Sequence, residues 1–377
     1  MRWGNLLMFF TGLLFVAGGS AASLDAAALP SLVSSLRALN FLEFCSEKVP
    51  LKIQEVRERM EKEVLLSLGD RPQVILWLKR SRRYFPYIEK MLKENNLPED
   101  LKYVAIAESA LRPHVGSKKG AIGFWQFMVH TGRKRGLVIN EFIDERRNLF
   151  TSTRAVIRYF KTLHKKMGSW TLAVAAFNMG EEGLEAEIME QGTRDYYRLY
   201  LPIETQRFIF RILSVKLIFF NPEKYGFKLT EEDYYPPLSF DQVWLDFSQE
   251  IPIRLIARAA KTHFKVIKDL NPEIRGHYLA EGSRIILVPK GSSKGFQERY
   301  EVLVKKYLEG EKERIYVVKK GDNLSKIAEK FDVPLAALII WNHIDLKRPI
   351  YPGNRLIIYP KTGKYHDINR DRKKERP

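Results

Sequence analysis

The chain is poor in cysteine, in acidic residues and in long hydrophobic runs. Its 377 residues hold one cysteine, Cys45, so no intramolecular disulfide can form, even if the protein is exported. Leu42-Glu43-Phe44 precede it in place of the small residues of a lipid-attachment site, and the expectation is a packed thiol in a helix. The seven histidines are scattered with no metal-ligand spacing, so neither a metal nor another cofactor is implied. Past Ala22 no run is apolar for the ~20 residues that a spanning helix needs. Acidic residues are the minority charge: Lys and Arg outnumber Asp and Glu by 63 to 45, a net +18. Nucleic acid is the reflex partner of such a chain.

The first residues redirect that reading. Arg2 gives a positive start, Leu6 to Ala17 is apolar apart from Thr11 and Gly12, and small residues run from Gly18 to Ser23. That is the grammar of a secretory signal peptide over residues 1–22, with cleavage near Ala21 or Ala22. A retained anchor is the alternative. Export to the periplasm or cell envelope makes an anionic envelope polymer or membrane surface the partner of the basic charge, not nucleic acid. If the signal is retained, the protein is membrane-associated.

The chain is too long for one ordinary core, so two or three domains are expected. Residues 23–69 read as a helical N-terminal segment. In 70–220, Ile75, Leu78, Tyr84, Tyr87 and Ile88 keep helical spacing, and Asn95 to Asp100 is a stop and restart around Pro98. Further helices fit Ser152–Met167, Thr171–Phe177 and Thr205–Phe220, with Ser152 and Thr153 as possible caps. Residues 221–240, with Pro222, Pro236 and Pro237, read as a linker.

Beyond lies an internal repeat with an offset of 71 residues and no gap: Ile256-Ala257 falls on Ile327-Ala328, Asn271 on Asn342, Gly282 on Gly353, and Ile286 on Ile357. Each copy, 241–290 and 315–360, reads as strand, two short helices, strand. Residues 291–314 read as a second linker and 361–377 as a basic disordered tail. The fold class is α+β multidomain: an all-helical domain followed by small βααβ modules.

Glu108 carries the chemistry. Leu101, Val104, Ala105 and Glu108 recur at helical spacing, which puts a carboxyl on an apolar stripe. Desolvation raises a carboxyl pKa, and a raised pKa suits a general acid. The Asp144-Glu145-Arg146-Arg147 run reads as a capping and ion-pair cluster, and Trp125 and Phe127 read as core.

These residues together resemble a family. Glu108-Ser109, Gly120 to Met128, Asp144 to Arg147, Ala175 to Gly180 and Leu201-Pro202-Ile203-Glu204-Thr205 resemble, in order and spacing, the catalytic domain of soluble-type lytic murein transglycosylases. Its fold is that of goose-type lysozyme. Tyr316 to Leu324 and Pro352 to Leu356 resemble lysin motifs, and the first copy is a degenerate one. With both parts, the chain is similar to the membrane-bound lytic murein transglycosylase D group.

The resemblance implies cleavage of the β-1,4 bond between N-acetylmuramic acid and N-acetylglucosamine in peptidoglycan glycan strands, leaving a 1,6-anhydromuramic end. Glu108 would serve as acid and then base. Ser109 would hydrogen-bond and orient Glu108, Gln126 and Asn178 would hold N-acetyl or hydroxyl groups, Met128 would line the cleft, and Glu204 would sit deep in it. The family usually has tyrosine where this chain has Phe177. Gly321, Asp322, Asn323 and Asn342 would touch glycan in the second repeat, although turn formation also accounts for the asparagines. An inverting hydrolase needs a second carboxylate, and none is obvious beside Glu108. The rival readings are a muramidase cutting the same bond and a non-catalytic wall-binding protein.

Overall fold

The computed structural model describes residues 30–359 except 38, 40, 310–314, 343 and 347. The expected signal peptide and basic tail lie outside the described residues. A short helix α1 (Leu32–Arg37) is followed by a hairpin of β1 (Glu43–Phe44) and β2 (Glu47–Lys48). Cys45 and Ser46 form its turn, with φ of 52° and 67°. Cys45 is buried as expected, but in a turn and not in a helix. Its backbone N–H donates to Asp100 (2.7 Å), and that carboxylate also takes a Lys216 ammonium hydrogen bond at 2.7 Å. Two-residue strands leave no periodicity to read, which is why a helical expectation failed there.

The helical domain continues with α2 (Gln54–Gly69), α3 (Arg71–Glu94), α4 (Lys102–Ser109), α5 (Val129–Lys134), α6 (Leu149–Met167), α7 (Trp170–Met179), α8 (Glu181–Gln191) and α9 (Ile203–Phe220). One apolar core runs from Leu39 to Phe227, so the segment before Asp70 is part of this domain. Asp70 caps α3, its carboxylate accepting from Gln73 N–H. The α6 cap is Asn148, which accepts from Phe150 and Thr151 N–H at 2.9 Å. Ser152 and Thr153 are instead buried in that helix; the Thr153 hydroxyl takes the Trp125 indole N–H at 3.0 Å.

The 221–240 segment is not a free linker. It packs back along α3: Tyr87 OH donates to Leu238 O (2.9 Å), and Arg82 and Lys79 lie over the rings of Tyr234 and Tyr235.

The first module pairs β3 (Phe240–Phe247) antiparallel with β6 (Gly282–Pro289), with Val243 opposite Ile286. Between them come β4 (Ile251–Pro252), α10 (Ile253–Ala259), α11 (Phe264–Leu270) and β5 (Tyr278–Leu279). Residues 296–309, expected as linker, form α12 (Phe296–Glu309). Phe296, Tyr300 and Tyr307 bury into the module core from it. This module docks on the helical domain: Ile143 bridges Ile274, Asp144 N–H donates to Glu273 O, and Arg275 N–H donates to Phe142 O, both at 2.8 Å.

The second module comprises β7 (Ile315–Val317), α13 (Leu324–Lys330), α14 (Leu335–Trp341) and β8 (Arg355–Ile357), with Tyr316 opposite Leu356. The repeat holds, but a gap is needed. The Asn271 amide donates to Leu287 O, 16 residues on, and its oxygen accepts from Leu287 N–H. Asn342 makes the same clamp with Ile357, 15 residues on. Ile286 and Val288 face one core, while Leu356 and Ile358 face the other. Alternate strand residues face opposite sides, so a one-residue slip exchanges core and outer faces. The gapless alignment makes that slip by placing Ile286 on Ile357.

Candidate active site

Glu108 sits in the last turn of α4. The chain then turns sharply, with Ala110 and Leu111 both left-handed at φ 52° and 58°. Left-handed non-glycine residues cost about 1–3 kcal/mol each and persist where surroundings hold them. Here the Ala110 N–H bonds Ile106 O at 2.8 Å and the Leu111 N–H reaches Ala105 O at 3.5 Å, closing the helix end.

A second constraint comes from Gly123. A Cβ there would fall 1.8 Å from Arg146 O, and its φ is +89°. Only glycine lets the 120–128 loop lie this close to the Asp144–Arg147 turn. Arg146 then ties the loop, donating to Gly120 O (3.0 Å) and Phe127 O (3.1 Å) while paired with buried Asp144 at 2.8 Å. The acidic-basic cluster is structural, as expected. Trp125 and Phe127 are core, with at most 2% of their surface exposed.

The cleft so formed has a volume of about 460 Å³. It brings together Glu108, Gln126, Met128, Phe177, Asn178 and Glu204, residues expected from four separate motifs. Burial pushes the Glu108 carboxyl up to about 8, against the lowering effect of Arg211 and with a smaller push from Glu204. A carboxyl so placed is protonated at neutral pH and can donate a proton.

The partners divide the polar work. Gln126 Nε2 donates to Val115 O (3.0 Å) and Gly123 O (2.8 Å), which leaves its oxygen to accept. Asn178 Oδ1 accepts from the Thr205 hydroxyl at 2.9 Å, which leaves its amide N–H groups to donate. An acceptor and a donor are what an acetamido group requires. Phe177 packs its ring against Phe127, Tyr159 and Phe160.

Two expectations change. Ser109 is buried and does not hydrogen-bond Glu108; its hydroxyl lies within bonding distance of Ala105 O (3.0 Å) and Phe124 O (2.9 Å), pinning α4 to the 120–128 loop. Glu204 lines the cleft but is exposed at its rim, in the first turn of α9. The cleft therefore holds the second carboxylate expected in it, but at the rim and not deep in the site.

Arg211, Tyr159 and the Lys118–Lys119 rim were missed. The spacing from Glu204 to Arg211, two turns along one helix, was a usable signal for Arg211. Nothing in the sequence marked the other three.

In the second module, Asn323 caps α13 by accepting from Lys326 N–H at 2.8 Å. Asp322 accepts from Lys319 N–H (2.7 Å) and Tyr316 OH (2.8 Å), and Gly321 has a φ of +90°. With Asn342 engaged in its clamp, all four expected glycan contacts serve the turn and the fold.

Fold and site together define a helical cleft domain in which the desolvated Glu108 carboxyl lines the cleft, followed by two small strand–helix–helix–strand modules. Residues 85–199 match the Transglycosylase SLT domain and residues 316–358 the LysM domain. The chain carries both.

Over 293 residues it is 30% identical to the Membrane-bound lytic murein transglycosylase D of Escherichia coli K12, covering 74% of this chain and 64% of that protein. It thus spans less than two thirds of the length of that relative. A Putative tributyltin chloride resistance protein of Alteromonas sp. strain M-1 is 34% identical over 110 residues, 28% of this chain and 53% of that one. The crystal structure of the 70 kDa soluble lytic transglycosylase from Escherichia coli aligns with a TM-score of 0.33 at 16% identity, over 46% of this chain and 32% of that chain.

Proposed function

We propose that the protein is a lytic transglycosylase that cleaves the β-1,4 bond between N-acetylmuramic acid and N-acetylglucosamine in peptidoglycan. The observation that carries this reading is the Glu108 carboxyl, raised to about 8 by burial in a cleft of the SLT-matched domain. Glu108 gives its proton to the glycosidic oxygen, and the N-acetylglucosamine hydroxyl leaves. The carboxylate then takes the proton of the muramic C6 hydroxyl as that oxygen bonds to C1. The 1,6-anhydro ring closes, Glu108 is protonated again, and no water is consumed. The Gln126 oxygen and the Asn178 amide hold the sugar's acetamido group, Met128 and Phe177 give apolar contact, and Ser109 fixes the helix that carries Glu108.

The modules hold the enzyme on its polymer, the second through its turn at Gly321 to Asn323. Export through residues 1–22 places the protein in the periplasm or envelope. Among the described residues no helix is long and apolar enough to cross a membrane.

A muramidase is the second reading, favoured by Glu204, a solvent-facing carboxylate in the same cleft that could activate water. Digestion of purified sacculi followed by mass analysis decides. Anhydromuropeptides are expected; products heavier by one water would establish hydrolysis, and no release at all would leave only a wall-binding protein.

A further inference from the structure

The outer face of the β3–β6 ladder carries an aromatic platform. Trp244 pairs with Ile285 across the strands, and both are exposed, Trp244 at 63%. They border a groove of about 480 Å³ whose opposite wall comes from the helical domain, including Phe150 and Arg154. The groove exists because the Ile143–Ile274 bridge docks the first module there.

Two polar atoms that line it lack hydrogen-bond partners among the described residues. Glu273 is nine-tenths buried, yet its Oε2 has no hydrogen bond among the described residues, and Arg284 Nε is likewise unsatisfied. The Glu273 carboxyl takes hydrogen bonds from the Asn148 side chain and its own backbone N–H, which leaves Oε2 free, and it lies within the field of Arg284 and Glu145. Buried polar groups are normally satisfied, and each exception calls for an explanation.

We propose that this groove is a second saccharide site, in which a pyranose ring of the glycan strand lies against Trp244 and its hydroxyls meet Glu273 and Arg284. An orphan acceptor beside an orphan donor is matched by a group that both donates and accepts, and a hydroxyl does so. A carboxylate ligand would be repelled by Glu273 and Glu145, and an ammonium by Arg284 and Arg154. A neutral polyol meets neither obstacle. The exposed indole provides the apolar, polarisable face on which the C–H side of a sugar rests. Choosing N-acetylated glycan among saccharides rests on the function proposed above.

The test is ¹⁹F NMR of the full-length Glu108→Gln chain labelled with 5-fluorotryptophan and titrated with the N-acetylglucosamine tetramer. The Trp244 signal is assigned through Trp244→Phe. It should move saturably, and Glu273→Gln or Arg284→Lys should weaken that response roughly tenfold, as loss of a key interface contact does. Trp244 is on the surface, so its substitution does not threaten folding. A Trp244 signal that stays still while other tryptophan signals respond, or that moves equally in both polar variants, overturns the site. Sacculus digestion by the wild-type chain reads the catalytic proposal separately. If it released no anhydromuropeptides while Trp244 still responded, the activity would fall and this site would stand.

Discussion

The Thr205 hydroxyl donates to the Asn178 side-chain oxygen at 2.9 Å. That bond joins the first turn of α9 to the last turn of α7 and fixes which end of the Asn178 amide faces the cleft. Two motifs more than twenty residues apart in sequence thus act as one positioning unit.

Thr205→Val should leave the fold intact and reduce cleavage. A hydrogen bond of this kind contributes about 1 kcal/mol, roughly a fivefold change. Asn178→Ala should cost more, because it also removes the donor. The double variant should be no worse than Asn178→Ala alone, since both changes break one unit. Additive losses in steady-state kinetics would show that Thr205 acts on something other than Asn178.

Glu108→Gln should abolish sacculus lysis, because an amide can neither give nor take the proton. General acid-base groups contribute about 10²–10⁴-fold. In the wild-type chain the rate should fall as pH rises through about 8, where the raised carboxyl loses its proton. The same shift sets a stability signature. The folded state holds a proton that the unfolded state releases near 4.5, so wild-type stability declines as pH climbs from about 4.5 to about 8. Glu108→Gln removes that decline, and its advantage in Tm should grow across that window and then level off. Each 1 kcal/mol shifts Tm by about 2–4 °C in a domain of this size. A Tm difference that stays flat with pH would mean the carboxyl is not desolvated.

Gly123→Ala should be severely destabilising, by roughly 3 kcal/mol or more, from two named causes: a left-handed backbone and a Cβ driven into Arg146 O. Neither can relax without moving the loop that carries Gln126 or the turn that carries Arg146. Thermal unfolding measures it. Wild-type Tm in this variant would show that the loop and the turn are not in contact.

Much of the site was legible because helices advertise themselves. A 3.6-residue period placed Glu108 on an apolar stripe, and α6, α7 and α9 begin and end within a few residues of the expected bounds. What failed depended on partners distant in sequence. The Ser109 hydroxyl had a choice between Glu108 and two carbonyls, and the position of Phe124, fifteen residues on, decided it. Glu204 was placed deep by the family resemblance alone, but the first turn of a helix that begins at the cleft rim faces water. Cys45 sits in a turn between strands too short to show alternation. The charged face of α12 disguised a helix as a linker, although Phe296, Tyr300 and Tyr307 are spaced four and seven residues apart.

Deleting Ile315 to Pro377 should weaken binding to intact sacculi far more than it slows cleavage of short soluble glycans. A tethered module raises the local concentration of polymer at the cleft without touching the chemistry; such linkage is worth on the order of 10²-fold or more. The structure adds a complication that the experiment must control. The second module touches the first, with the Tyr307 and Tyr359 hydroxyls 2.7 Å apart and the Arg254 guanidinium 4.7 Å from the Tyr359 ring centre. The truncation exposes that side of α12, so a helical signal by circular dichroism reduced by no more than the removed α13 and α14 must accompany any loss of binding. Charge is the other variable. Removing only Lys361 to Pro377 takes away the basic tail and leaves both modules intact. A salt-sensitive loss from that shorter truncation would assign the binding to the tail. A salt-resistant loss seen only with the full deletion assigns it to the module. Sacculus binding that survives the full deletion undiminished would rule the second module out as a wall anchor.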